Sequence, residues 1–93
     1  MTKTKRAFKD LVTYIGLYDG YTKPKLNFQD LYKLFPNFTF TADKDFGQYR
    51  NFGQAFEQKI YDMIVSDNDG NECFMNYREY QDANENTAYI SFA

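Results

Sequence analysis

Seven carboxylates, Asp62, Asp67, Asp69, Glu72, Glu79, Asp82 and Glu85, crowd into residues 62–85 of this 93-residue chain, opposed there only by Arg78. Carboxylates at such density can act in pairs as acid and base, hold a calcium ion, or present a negative surface to a basic partner. The chain contains no histidine, which removes the ordinary imidazole base, the Ser–His and Cys–His pairs and the Cys/His zinc site. Ser66 and Ser91 are the only serines, and neither lies in a nucleophile-elbow sequence. Cys73 is the only cysteine; its charged neighbours are acids, which disfavour a thiolate, so a packing role is expected. A chain of this length builds one core, with little left over for a deep cleft. The expectation is a non-enzymatic protein that needs no cofactor.

Two segments share a pattern of apolar residue, Asn, aromatic, polar, acid: Leu26-Asn-Phe-Gln-Asp-Leu-Tyr32 and Met75-Asn-Tyr-Arg-Glu-Tyr-Gln81. Each follows an Asp-Gly, at Asp19-Gly20 and Asp69-Gly70. This resembles the loop and exiting helix of an EF-hand, in which an acid closes a twelve-residue calcium loop. In the first copy, Tyr21, Lys23 and Pro24 stand where the family has ligands and a glycine, so that loop should not bind calcium. In the second, the resemblance implies Asp67, Asp69, Asn71 and Glu79 as ligands, with Glu79 one residue late and Glu72 in the glycine position. It also implies that residues 60–65 and 76–84 are helical.

The other reading is an acidic contact surface. Spaced carboxylates on a small rigid domain imitate the phosphates of a duplex and can occupy a basic nucleic-acid groove. Small inhibitors made by phages against host nucleases, anti-CRISPR proteins among them, use such surfaces; naming that class is analogy, since they share no motif. On this reading Asp67, Asp69, Glu72 and Glu79 carry the charge, and Tyr77 and Tyr80 anchor the contact. The partner is then a host protein, a nucleic-acid-binding enzyme, with no direct contact to nucleic acid, and the chain works in the host cytoplasm. Lys3, Lys5, Arg6 and Lys9 offer a basic patch, but the chain is acidic overall at −2, which speaks against direct binding to DNA or RNA. Abundant Asn, Lys, Asp, Phe and Tyr fit AT-rich codons and hence a low-GC source.

The elements that must position these residues follow from periodicity. Phe8, Leu11, Val12, Ile15 and Tyr18 form one apolar stripe, predicting a helix over 4–18 that Gly20 and Pro24 end. Asn27 as N-cap with Asp30 three residues on predicts a short helix ended by Pro36. A short strand is expected over 37–41. Asp45 with Gln48 resembles a capping box and opens an expected third helix over 46–59, weakened by Gly47 and Gly53. Residues 60–65 are strand-like, and Asp67-Asn-Asp-Gly-Asn71 is strong turn chemistry. Cys73, Met75 and Tyr77 alternate with polar neighbours. Residues 82–87 suggest a turn, and 88–92 a last strand that could pair with a second copy to make a homodimer.

The expected fold is therefore α+β, with two or three short N-terminal helices packed on a small C-terminal antiparallel β-meander. No apolar run is long enough for a membrane-spanning helix, and the basic start is not followed by the apolar stretch of a secretory signal. Aromatics make up 20% of the chain, which serves equally for core packing or for a contact surface. Charge is uneven: residues 1–50 hold nine Lys and Arg against five acids, +4, and residues 51–93 hold two against eight, −6, which together give the −2.

Overall fold

Alternation of side chains along three consecutive strands sets the architecture. In the computed structural model, which describes residues 3–18, 20–21, 25–50, 58–80 and 85–92, β4 (Gln58–Ser66), β5 (Glu72–Tyr80) and β6 (Glu85–Phe92) form an antiparallel meander. The β4–β5 register runs from Gln58 opposite Tyr80 to Ser66 opposite Glu72, and β6 pairs β5 from Cys73 opposite Phe92 to Glu79 opposite Asn86. Directly opposed residues share a face, so Met63, Val65, Cys73, Met75, Tyr77 and Ala88 all project to one side, where they are buried. Short strands extend the sheet at both edges: β1 (Gly20–Tyr21) on β6, and β2 (Thr39–Ala42) and β3 (Gln48–Arg50) on β4.

The helices cover that buried face. α1 (Lys3–Ala7) and α2 (Lys9–Gly16) are the expected first helix with a break at Phe8. The hydrogen bonding bridges the break, since Phe8 N donates to Thr4 O and Val12 N to Phe8 O. Phe8, Leu11 and Ile15 recur at three- and four-residue spacing and are buried against the sheet. α3 (Phe28–Leu34) begins as expected: the Asn27 side chain accepts from Gln29 N at 3.0 Å, filling one orphan donor of the first turn. Leu31 is its buried residue. The architecture is thus α+β, three short N-terminal helices on a C-terminal antiparallel meander.

Most of the aromatic content is core. Phe28, Phe46, Tyr61 and Tyr77 form one cluster, with ring centroids 4.9 Å apart for Phe28–Tyr61, 5.0 Å for Phe46–Tyr61 and 5.5 Å for Tyr61–Tyr77. Phe8, Phe38, Phe35 and Tyr14 form a second chain, at 4.9, 5.8 and 5.7 Å between successive rings. Such tilted, edge-on and stacked pairs add stability beyond the area they bury.

Two expectations are corrected here. The third helix does not form where residues are described: 43–47 make a turn and Gln48–Arg50 is a strand. The Asp43 carboxylate accepts from Asp45 N at 2.9 Å, and Gly47 sits at φ +75°, a conformation that stops a right-handed helix. Residues 51–57 of that expected helix lie outside the described residues, as do Asp19, Pro24 and the first part of the 82–87 turn. The helix–loop–helix of an EF-hand is replaced by a β-hairpin over 58–80. Among the described residues, no helix is long and apolar enough to cross a membrane.

Candidate functional site

The β4–β5 turn is built around Asp67. One of its carboxylate oxygens accepts from Asp69 N and Asn71 N, both at 2.9 Å, and the other accepts from the Asn71 side-chain amide at 2.8 Å. Asp67 N returns a bond to Asn71 O at 3.1 Å. Gly70, at φ +82°, closes the turn. The bonds from Asn71 hold the Asp67 carboxyl below its ordinary value, with the backbone donors and the charge of Lys3 adding to the effect. Asp67 is therefore a fixed anion. Asp69 and Glu72 are exposed beside it.

Glu79 does not join them. It lies seven residues along β5 from Glu72, about 23 Å at the rise of a strand, and its side chain projects to the helix-covered face. There it pairs with Lys25 at 2.9 Å and accepts from the Tyr61 hydroxyl at 3.4 Å. This disposition also separates the residues that the EF-hand resemblance named as ligands. Asp67 and Asn71 bind each other, and Asn71 presents its amide nitrogen; Glu79 stands at the other end of the strand. Asp67, Asp69, Asn71 and Glu79 do not converge on one point.

Tyr77 is corrected from contact anchor to core. It is 0% exposed, its ring packs against Phe28 and Tyr61, and its hydroxyl oxygen accepts from Leu26 N at 3.2 Å. Burial pushes its pKa up. Tyr80 is half-buried on the opposite sheet face, at the Glu79 end of the strand and away from the turn. Asp62 lies on that same face and accepts from the Asn76 amide. Asp82 lies outside the described residues.

The turn does have apolar neighbours that the sequence reading passed over. On the face opposite the helices, Ile64 pairs with Phe74, and Ile64 and Tyr89 are each 47% exposed. A groove of about 300 Å³ runs here between Ile64, Glu72, Phe74, Ser91 and Phe92, so the Glu72 carboxylate forms part of its rim. Farther along, the same face closes, with Gln58, Ile60 and Asn76 buried. The signal was legible: residues 60–65 are apolar on both strand parities, Ile60 and Ile64 on one and Tyr61, Met63 and Val65 on the other. Such a strand is either buried on both sides or carries an apolar patch to the surface.

Comparison of the chain with protein-family models, with curated proteins and with solved structures gives no match.

The geometry of the site is suited to contact. The rigid turn fixes three carboxylates at the end of a hairpin, and the Ile64–Phe74 pair supplies adjacent apolar area. α1 stands at the same end of the molecule: Lys3 is near enough to Asp67 to lower its pKa, and the Lys5 ammonium lies 5.9 Å from the centre of the Phe92 ring. The acidic turn is thus bordered by cations on its helix side.

Proposed function

We propose that this chain is a non-enzymatic binding protein that seats its β4–β5 turn on the basic surface of a nucleic-acid-binding enzyme and so blocks that surface. It is an inhibitor of the type carried by phages and mobile elements. The observation that carries the reading is the contiguity of Glu72 with the exposed Ile64–Phe74 groove. Interfaces draw their affinity from apolar anchors and their selectivity and encounter rate from charge, and this corner of the molecule supplies both. Asp67 holds the turn, Asp69 and Glu72 meet the partner's cations, and Ile64 and Phe74 form the dry centre of the contact. Glu79 and Tyr77 act within the fold.

A tagged chain incubated with nuclease-treated lysate of a low-GC bacterium tests this. A single near-stoichiometric nucleic-acid enzyme should be retained and then released by salt. The double reversal Asp69→Lys with Glu72→Lys should lose it while keeping the native melting temperature, because neither carboxylate is needed to form the turn. Retention of the same partner by the double variant would refute the electrostatic mechanism.

A further inference from the structure

β2 is an end strand, and among the described residues it pairs only with β4. Its register, Thr39 opposite Ser66 through Ala42 opposite Met63, continues to Asp43 opposite Asp62, where Asp43 N donates to Asp62 O at 3.0 Å. Antiparallel pairs alternate between hydrogen-bonded and non-hydrogen-bonded positions. Since 43 is a bonded position, Thr41 and Thr39 are bonded to β4 as well, and the N–H and C=O of Phe40 and Ala42 face away from it, off the sheet. Thr39, Thr41 and Ala42 are exposed.

A groove flanks this edge on each face of the sheet. On the helix side, about 340 Å³ is lined by Tyr32, Phe35, Pro36, Phe38 and Phe40. On the other side, about 190 Å³ is lined by residues that include Thr41, Asp43, Asp62, Ile64 and Phe74. One groove is aromatic and the other carries two carboxylates.

We propose that the outer edge of β2 accepts an extended segment of a partner protein as an added antiparallel strand, with a bulky apolar residue on one face and Lys or Arg on the other. Main-chain bonds to Phe40 and Ala42 supply adhesion, and alternate side chains supply selectivity. The segment's residue opposite Phe40 falls on the aromatic side. Its residue opposite Thr41 falls on the side of Asp43 and Asp62, where charge complementarity selects a cation. A second copy of this chain is the wrong occupant: its own β2 would bring threonines and a further Asp43 to the place of that cation. The added strand bonds to β2 and not to the hairpin turn; the two surfaces share Ile64 and Phe74, and the Asp69→Lys, Glu72→Lys variant tells them apart.

The test uses the full chain, labelled with ¹⁵N, and a synthetic eight-residue peptide of alternating lysine and leucine. Binding should shift the amides of Phe40 and Ala42. Replacing lysine by glutamate, or methylating the peptide nitrogens on its bonding edge, should weaken binding about tenfold or more. Ala42→Pro should abolish binding at an unchanged melting temperature, because proline is tolerated on an edge strand where the N–H faces outward. The Asp69→Lys, Glu72→Lys double variant should bind the peptide at the edge as well as the native chain does. Three outcomes overturn the proposal: shifts confined to the hairpin turn, binding indifferent to N-methylation, or a concentration-dependent dimer of the free chain that Ala42→Pro dissociates. If Ala42→Pro fails to fold, the N-methylated peptide decides alone.

Discussion

Both carboxylate oxygens of Asp67 are taken by donors within its own turn, so the charge that looks most available for binding is spent on shape. Because Asn71 and the turn's amides depress the Asp67 pKa from its ordinary 3.8, its contribution to stability is present above that value and is lost as pH falls through the folded pKa. Asp67→Ala should therefore lower the melting temperature at neutral pH and flatten its fall below about pH 4; Asp69→Ala should keep the native melting temperature at neutral pH. Circular dichroism melts over a pH series read both. Tyr77 makes the converse case. Removing its hydroxyl by Tyr77→Phe leaves the buried Leu26 N–H without its acceptor, at a cost of about 1–3 kcal/mol. A denaturant melt should show that loss with no change in partner affinity, whereas a contact anchor would give the reverse. Cys73 is 3% exposed, and burial pushes its thiol up to about 11. It should be inert to a disulfide reagent at pH 8 and react only along the unfolding transition.

At the scale of elements, the hairpin depends on one backbone angle. Gly70 sits at φ +82° with nothing within 4 Å of an added Cβ, so Gly70→Ala carries only the left-handed penalty of about 1–2 kcal/mol. Gly47, at φ +75°, would in addition bring a Cβ to 3.3 Å from the Tyr61 ring. Gly47→Ala should therefore destabilise more than Gly70→Ala in the same denaturant melt, and equal losses would show that the Tyr61 ring yields freely. These glycines also mark where the sequence could and could not be read. Asp67-Asn-Asp-Gly-Asn71 is local chemistry, with Asp67, Asp69 and Asn71 bonded to one another within the turn, and so the turn was legible together with both flanking strands. The Asn27 cap was legible for the same reason. Asp45 and Gln48 have the spacing of a capping box, but Asp43 captures Asp45 N first, and Gln48–Arg50 finds a ladder on β4. That partner is remote in sequence, so local spacing could not reveal it. The site divides likewise. Asp67, Asp69 and Glu72 are neighbours along the chain, so local spacing places them together. Glu79 is near them in sequence, but an extended strand carries it to the other end and turns it toward Lys25. Ile64 and Phe74 meet only through the β4–β5 register.

For the molecule as a whole, the two halves of the sequence, +4 over residues 1–50 and −6 over residues 51–93, do not become opposite poles. The chain folds so that Lys3 comes close to Asp67, and Lys5 lies over Phe92, which pairs with Cys73 next to Glu72. Basic α1 thus borders the acidic turn, and at distances beyond roughly 10 Å in physiological salt their fields largely cancel. An approaching basic partner feels the turn only at short range. If the turn is the contact, the cations of α1 oppose the encounter, and neutralising them with Lys3→Gln, Lys5→Gln and Arg6→Gln should raise the association rate several-fold at low ionic strength. The rate should also fall more steeply as salt is added, because an uncompensated acidic surface reaches farther and has more to lose to screening. Dissociation should change little, since Ile64, Phe74 and Glu72 remain. Stopped-flow or surface-based kinetics between about 50 and 500 mM salt, where the screening length shortens from roughly 14 to 4 Å, measures both slopes. A triple variant that associates more slowly than the native chain would mean that α1 itself touches the partner, and the contact surface would then have to be redrawn across the helix side of the same corner.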